Sequence, residues 1–349
     1  MAIRIHTEDY GDVLMLPNAV PSTELSKYFE PFGTVEELSS KYRAPYLYSK
    51  WFDNQVYGLS YLCTVNGVVY NKAVFEEAGI TELPKTPDEF IECLQKIKDN
   101  TDAIPLYTNA NSGWPMDPWV DNSFGSVTGD ANYKNNGMPH DAEAFAEGSA
   151  HYTTAKLLYD IVSKGLSEED PTTCDWEGSK LMINNGEIGC MVLGSWAIQQ
   201  MKDAGEHADD IGYMPFPYTI DGKQYSTSAT DYCYAINVHS KNKEAAKAFV
   251  EFMVDESGLA LASGGISLLS SDPMPSGLEL FSDVEFVVDL PAEDANIGVL
   301  DQVQQDSGVT LYDNGLRLNE VINIARGVSD QSFEDYMASL NASWAGAIG

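Results

Sequence analysis

The chain has 349 residues and a formal net charge of −33 at pH 7, because 53 acidic side chains outnumber 20 basic ones. This length is sufficient for two hydrophobic cores. The charge argues against nucleic acid and anionic membrane surfaces as partners, since phosphate binding needs clustered lysine and arginine. Acidity of this size also keeps a protein soluble and monomeric, so we expect a monomer.

The cysteine and histidine spacings give no indication of a metal or cofactor site. The cysteines show no CxxC motif, the histidines form no HExxH motif, and the chain has neither a P-loop nor a GxGxxG motif. An odd and sparse set of cysteines also argues against a disulfide framework, so each is interpreted as a small core hydrophobe. These cysteines are Cys63, Cys93, Cys174, Cys190 and Cys233.

Strand and helix patterns alternate from the beginning of the chain. Residues 13–16 form a short apolar strand, and residues 52–71 indicate two strands around a turn. A short helix is predicted at 72–78 and is stopped by Gly79. The segment Thr86-Pro87-Asp88-Glu89 is a capping box with proline at the first helical position, and it predicts the start of a second helix.

The same alternation continues to the end of the chain and indicates an α/β architecture. Gly165 is predicted to end a helix, Asp175 to cap a helix that stops near residue 185, and Ser195 to cap the next one. The helix at 242–255 is amphipathic, and its apolar face is predicted to hold Ala246, Phe249, Val250 and Met253. Further strands are predicted at 104–108, 188–193 and 232–238, and further helices at 294–305, 316–325 and 333–344.

In its order of motifs the segment 52–90 closely resembles the family 1 extracellular solute-binding proteins of carbohydrate ABC transporters, which are maltose-binding-protein-like. Three further motifs support the resemblance. They are Gly194-Ser195-Trp196, the strand exit Met214-Pro215-Phe216-Pro217, and the run SKNKEAAKAF at 240–249. The resemblance covers roughly residues 8 to 345. It implies a protein that captures a sugar or oligosaccharide and delivers it to the permease subunits of an importer, without catalysis.

The resemblance also implies a two-lobed periplasmic-binding-protein-like fold of class II, with mixed sheets flanked by helices and the ligand in the cleft between the lobes. One lobe is expected to hold residues 1–66 and 236–306, and the other 67–235 and 307–349. The crossings are expected near 66–67, 231–235 and 306–311.

The beginning of the chain differs from the family pattern. Residues 1–13 lack a cationic start followed by an apolar stretch, so no export signal is expected in the chain as given. By comparison with the family, the first strand and most of the first helix are expected to be missing, with residues 2–6 as the tail of that helix. We therefore expect lower stability than in a full-length relative. The family implies a location outside the cytoplasm, either periplasmic or anchored to the membrane as a lipoprotein.

Sugar recognition needs flat aromatic faces for the C–H side of the ring and dense hydrogen-bonding groups for the hydroxyls. Trp196 matches the tryptophan that stacks on the sugar in the family, although it could instead be a core residue at a strand–helix corner. Asp231 could bind two hydroxyls and Tyr232 could stack or donate, whereas an aspartate at a turn often binds backbone amides. Trp114 or Trp119, with Asn111 nearby, could supply another contact, and one of these tryptophans is expected in the core.

Four more ligand contacts are predicted from position alone. Asn18 and Asn66 lie where the first lobe of the family meets the ligand, although asparagine is common in turns. Tyr61 could face either the cleft or the core. Asn314 lies at the start of a late helix whose first turn faces the cleft in the family, and Asp313 or Asn314 could equally be a helix cap.

Two other functions remain open on the residues alone. A glycoside hydrolase needs only two carboxylates about 5–10 Å apart, and the 53 acidic residues leave that open. A binder of a non-sugar solute, such as a peptide or polyamine, could use the same fold. No GxSxG motif occurs around Ser195, because positions 193 and 197 are leucine and alanine. The tryptophans favour a sugar.

Overall fold

The computed structural model describes residues 10–16 and 20–348. The predicted alternation of strands and helices is confirmed, and the fold is mixed α/β. The predicted residue 18 and the predicted helix tail at 2–6 lie outside the described residues. The strands are β1 (Val13–Leu16), β2 (Trp51–Phe52), β3 (Gln55–Val56), β4 (Leu59–Ser60), β5 (Cys63–Asn71), β6 (Ile104–Leu106), β7 (Ile188–Gly194), β8 (Ile211–Pro215), β9 (Tyr225–Thr230), β10 (Cys233–Ile236) and β11 (Glu285–Val288).

The helices that the sequence predicts are present, with ends that differ by a few residues, and several short helices were not predicted. In chain order the helices are α1 (Leu25–Tyr28), α2 (Val35–Leu38), α3 (Ala44–Leu47), α4 (Lys72–Glu77), α5 (Pro87–Asn100), α6 (Asp117–Asn122), α7 (Gly125–Thr128), α8 (Ala150–Ser163), α9 (Trp176–Asn184), α10 (Ala197–Asp203), α11 (Lys243–Asp255), α12 (Leu259–Ala262), α13 (Val299–Ser307), α14 (Leu316–Ala325) and α15 (Phe333–Ala347). Within the described residues, none of these helices is long and apolar enough to cross a membrane.

The chain divides into two compact units. The first comprises Met1–Thr64 and Ser228–Ser276, and the second comprises Val65–Thr227 and Gly277–Gly349. The largest difference from the expected lobes concerns residues 277–306, which belong to the second unit. The reason is structural: β11 lies beside β9 in the sheet of the second unit, and α13 packs against α15.

The first unit contains an antiparallel sheet in the order β1–β10–β4. Leu16, Phe29 and Ala235 are among the buried residues that form its core. The predicted apolar face of α11 needs a correction, because Phe249 is 49% exposed. The buried residues of α11 are Ala246, Val250 and Val254.

The second unit contains a sheet in the order β11–β9–β5–β7–β6, with β8 also paired to β5. All nine residues of β5 are buried, as expected for a strand covered on both faces. A Cβ atom at Gly67 would lie 2.4 Å from the carbonyl oxygen of Met214 on β8, so only glycine fits at this position. Phe90, Trp119 and Leu158 are among the residues of the large core of this unit.

All five cysteines are free and buried, which confirms the interpretation of these residues as core hydrophobes. The capping box before α5 is also confirmed. The Thr86 hydroxyl accepts a hydrogen bond from the Glu89 amide (3.3 Å), and the Glu89 carboxylate accepts one from the Thr86 amide (3.1 Å). The same carboxylate accepts a hydrogen bond from the Lys85 amide at 2.7 Å.

Replacement of Thr86 by alanine is expected to lower the free energy of unfolding by about 1 kcal/mol, because one amide at the start of α5 loses its acceptor. Chemical denaturation of the variant and the parent measures the difference. The matched control is Thr81→Ala at a nearby exposed residue outside any helix, which should leave the unfolding midpoint unchanged. Equal effects of the two substitutions would show that the cap contributes nothing.

Candidate ligand-binding site

Three tryptophans converge at the carboxyl end of β7 in the second unit. Trp196 follows β7, Trp114 lies in the turn between β6 and α6, and Trp176 is the first residue of α9. The ring centroids are 4.9 Å apart for Trp114–Trp176, 5.5 Å for Trp114–Trp196 and 5.8 Å for Trp176–Trp196. Trp114 is 38% exposed, so this tryptophan cluster is open to solvent on at least one side. Such aromatic surfaces suit the apolar faces of sugar rings.

The end of β7 determines where Trp196 lies. A Cβ atom at Gly194 would be 2.4 Å from Nε1 of Trp196, so the indole lies directly against the strand. The prediction that Ser195 caps the next helix is wrong, because its hydroxyl instead accepts a hydrogen bond from the Val65 amide at 3.2 Å. The Ser195 amide donates to the Val65 carbonyl at 2.8 Å. Ser195 therefore holds the end of β7 to β5, and Trp196 is the N-cap residue of α10.

The two candidate tryptophans of the loop after β6 have different environments. Trp119 is 1% exposed and packs edge-on against Phe216 at a centroid distance of 6.1 Å, so it is a core residue. Trp114 lies on the surface after Gly113, which has a φ of +73°. A Cβ atom at Gly113 would lie 2.5 Å from the side-chain nitrogen of Asn314. The exposed Asn314 therefore packs against the turn that carries Trp114.

Asp313 and Asn314 were predicted as possible caps of α14, but the N-cap residue of this helix is Gly315. The Asp313 carboxylate nevertheless accepts a hydrogen bond from the amide of Arg317 at 3.0 Å.

Asn111 connects the turn of Trp114 with the segment before Trp176. Its backbone amide donates to Sγ of Cys174 at 3.1 Å, and its side-chain amide donates to the Cys174 carbonyl at 3.4 Å. Asp175 caps α9 as predicted, since its carboxylate accepts a hydrogen bond from the Glu177 amide at 3.1 Å. Trp176 was not predicted. It directly follows the predicted N-cap residue Asp175, so the sequence places it in the first turn of a helix.

A chain of polar contacts leads away from the tryptophan cluster. Asn66 pairs with Gly194 across β5 and β7, and its side chain forms a hydrogen bond with the carboxylate of Asp121 on α6. Tyr312 donates a hydrogen bond to the same carboxylate at 2.6 Å. Lys134 donates to the Tyr312 hydroxyl at 3.0 Å and forms an ion pair with Asp289 at 3.1 Å. We call these five residues the Asp121 network.

Burial and neighbouring charges shift the pKa values of two carboxyl groups in this region. Burial raises the pKa of Asp121, although Lys134 and the hydrogen bonds from Tyr312 and Asn66 act in the opposite direction. Burial, together with the neighbouring Asp121 and Asp313, raises the pKa of Asp117 from 3.8 to about 6. The region therefore concentrates acidic side chains beside an aromatic surface. In the part of the chain that the structure describes, no group of three or more His, Cys, Asp or Glu residues could hold a metal ion.

The first unit brings together three other predicted residues. The Tyr61 hydroxyl donates to the Asp231 carboxylate at 2.9 Å, and that carboxylate also accepts a hydrogen bond from the Tyr232 amide at 2.9 Å. Burial, followed by the charge of Asp231, raises the pKa of Tyr61. Tyr232 is 56% exposed, so its ring is accessible to a ligand. Asp231 was predicted either to bind sugar hydroxyls or to bind a backbone amide at a turn. It does bind the Tyr232 amide, and it lies beside two tyrosines that could contact a sugar, so both interpretations stay open.

Replacement of Asp117 by asparagine is expected to stabilise the protein near neutral pH. Because the folded state raises the pKa of this group to about 6, ionisation in the native state costs stability as the pH rises from about 4 to about 6. The expected gain in the free energy of unfolding is about 1 kcal/mol at pH near 7.5, after discounting for partial exposure, and close to zero at pH near 4.

Denaturant unfolding at both pH values measures this difference, with the exposed Asp330→Asn as the matched control. A gain of equal size at both pH values would contradict the electrostatic explanation.

Solved structures with similar folds are sugar-binding proteins by their descriptions. A binding protein of an ABC transporter from Bifidobacterium animalis subsp. lactis, in complex with mannobiose, matches with a TM-score of 0.93 and 42% identity. The match covers 99% of this chain and 83% of that chain. A manno-oligosaccharide specific solute-binding protein from the same organism, in complex with mannotriose, matches with a TM-score of 0.92, 40% identity and the same coverage.

Curated relatives match more distantly. The diacetylchitobiose binding protein DasA of Streptomyces coelicolor is 28% identical over 62% of this chain and 50% of its own length. The maltotriose-binding protein of Pyrococcus abyssi is 26% identical over 63% of this chain and 45% of its own length. The chain thus spans about half the length of the curated relatives that it matches.

Residues 14–260 match the family model of the bacterial extracellular solute-binding proteins. This match covers well over half of the chain, and the relatives and structural neighbours above are binding proteins by name. The predicted family is therefore confirmed: the chain belongs to the bacterial extracellular solute-binding proteins.

Proposed function

We propose that this chain captures an oligosaccharide, with a manno-oligosaccharide as the first candidate, for import by an ABC transporter. The observation that carries the proposal is the tryptophan cluster of Trp114, Trp176 and Trp196 at the end of β7. Stacking of sugar rings on aromatic faces gives affinity without covalent chemistry. The complexes of the two similar Bifidobacterium proteins with mannobiose and mannotriose support the choice of sugar.

Polar residues around the tryptophans complete the proposed site. Asn66, Asn111 and Asn314 lie beside or behind the cluster and offer amide groups to sugar hydroxyls. In the first unit, Asp231, Tyr232 and Tyr61 are proposed as further contacts, because they combine a carboxylate with exposed aromatic surface. Asn18 is retained as a proposed contact, and it lies outside the described residues.

The proposal extends to partners and location. The permease subunits of an ABC importer are proposed as the protein partner, because the similar structures are binding proteins of such transporters. Membership of an extracellular family supports a location outside the cytoplasm, periplasmic or anchored to the membrane. We propose a monomer that neither binds nucleic acid nor performs catalysis, in keeping with the charge of −33.

A calorimetric titration with mannobiose and mannotriose tests the function. Maltotriose, diacetylchitobiose, a tripeptide and spermidine serve as comparison ligands. We expect heat of binding with at least one oligosaccharide and unchanged sugar on chromatography after prolonged incubation. Binding of the peptide or spermidine alone would favour a non-sugar solute. Shortened sugar products would make the chain a glycoside hydrolase and would overturn the proposal.

Replacement of Trp196 by alanine is expected to weaken the binding of the preferred oligosaccharide by at least about thirtyfold, because truncation of a central aromatic anchor costs roughly 2 kcal/mol or more. Calorimetry measures the dissociation constant of the variant and the parent. Phe249→Ala is the matched control, since Phe249 is a half-exposed aromatic residue outside the proposed site. Unchanged affinity of the Trp196 variant would remove the tryptophan cluster from the ligand site.

A further inference from the structure

The charges around the tryptophan cluster are strongly unbalanced. The Asp121 network contributes the carboxylates of Asp121 and Asp289 and a single cation, Lys134. Asp117 lies four residues before Asp121 on the same helix, and the charges of Asp121 and Asp313 both act on it. Carboxylates therefore outnumber cations along the surface that leads from Trp114 to Tyr312.

The cations that adjoin this surface are already paired. Lys134 forms an ion pair with Asp289 and donates to the Tyr312 hydroxyl. Lys180 lies 5.0 Å from the centroid of the Trp176 ring and pairs with Glu177 at 2.9 Å.

Arg317 is also fully engaged. It pairs with Asp313 at 3.3 Å and donates to the carbonyls of Thr310 and Leu311 at 2.8 and 2.7 Å. Lys134, Lys180 and Arg317 are therefore all engaged with partners in the protein.

Further hydrogen-bond acceptors lie in the same region. Oδ1 of Asp289 is buried and has no hydrogen-bond partner among the described residues. The Asn66 amide lies beside the Asp121 carboxylate, and Asn66 is also opposite Gly194, against which the Trp196 indole packs. Carboxylate oxygens accept hydrogen bonds from sugar hydroxyls, whereas they repel a carboxylate on the ligand.

We propose that this region selects neutral sugars and rejects sugars that carry a carboxylate, such as uronic acids, with Asp121 as the main specificity-determining residue. The inference rests on the proposed function, because it concerns the ligand of the same tryptophan cluster. Specificity of this kind arises from like charges placed against the wrong ligand as much as from contacts with the correct one.

The test compares two ligands of equal length and linkage by calorimetry: β-1,4-linked mannotriose and the corresponding trimer of mannuronate. They share the configuration of the ring and differ in the carboxylate at C6. Mannotriose is expected to bind at least about a hundredfold more tightly than the acidic trimer at low ionic strength. In about 0.5 M NaCl the ratio should narrow, because added salt screens the repulsion.

The other outcomes separate this inference from the proposed function. If mannotriose and the acidic trimer bind with affinities within tenfold of each other, or if the acidic trimer binds more tightly, the proposed selection of neutral sugars is overturned. The proposed sugar-binding function is then unaffected. If both trimers fail to bind and another neutral oligosaccharide binds, binding of that sugar at least about a hundredfold more tightly than of its uronate supports the selection, and affinities within tenfold overturn it. Failure of every sugar would overturn both proposals.

The variant Asp121→Asn tests whether Asp121 is the residue that causes the preference for neutral sugars. The variant should bind the acidic trimer more tightly, and its preference for mannotriose over the acidic trimer should fall at least tenfold. Asp289→Asn removes the same charge at the far end of the network, and it provides a second test if the first variant does not fold. Asp330→Asn, far along the sequence on an exposed loop, is the control for the general loss of one negative charge. An unchanged ratio in both network variants would contradict the assignment.

Discussion

The central strand β5 is the constraint on which the fold and the site both depend. Its nine residues are all buried, so every backbone amide and carbonyl must find a partner within the protein. β7 and β8 pair with it, and β9 is its neighbour in the sheet. The strand begins in the first unit and continues in the second, so it also carries the chain between them. The need to pair this buried strand determines the order of the sheet.

The same strand places the candidate site. Asn66 is opposite Gly194 because the register of β5 and β7 puts it there. Ser195 then uses both its amide and its hydroxyl to bind Val65, which leaves Trp196 at the end of the strand. Side chains at such strand ends are held by the rigid sheet behind them, and this is the support that a binding site needs. Glycines at 113 and 194 allow the close contacts beside Trp114 and Trp196.

Local motifs explain why so much of the fold could be predicted from the sequence. The capping box at Thr86 and the N-cap at Asp175 act over three or four residues, so they are visible in the sequence and present in the structure. Ser195 shows the limit of such reasoning, because a competing partner 130 positions away, the Val65 amide, takes its hydroxyl. The contact of Lys134 with Tyr312 spans 178 positions, and no local pattern predicts it. The contacts of the Asp121 network, which join separate segments, therefore needed the structure, whereas the positions of Trp196 after a strand and of Trp114 in a turn could be predicted from their motifs.

The buried thiols have a consequence for measuring motion in this protein. Cys63 and Cys233 belong to the first unit, and Cys93, Cys174 and Cys190 belong to the second. A buried thiol reacts with an alkylating reagent only when its surroundings open, so each labelling rate reports a local opening free energy. Mass spectrometry of the labelled peptides would thus follow the two units separately within a single unmodified chain. Cys174, which accepts a hydrogen bond from Asn111, would report directly on the turn that carries Trp114.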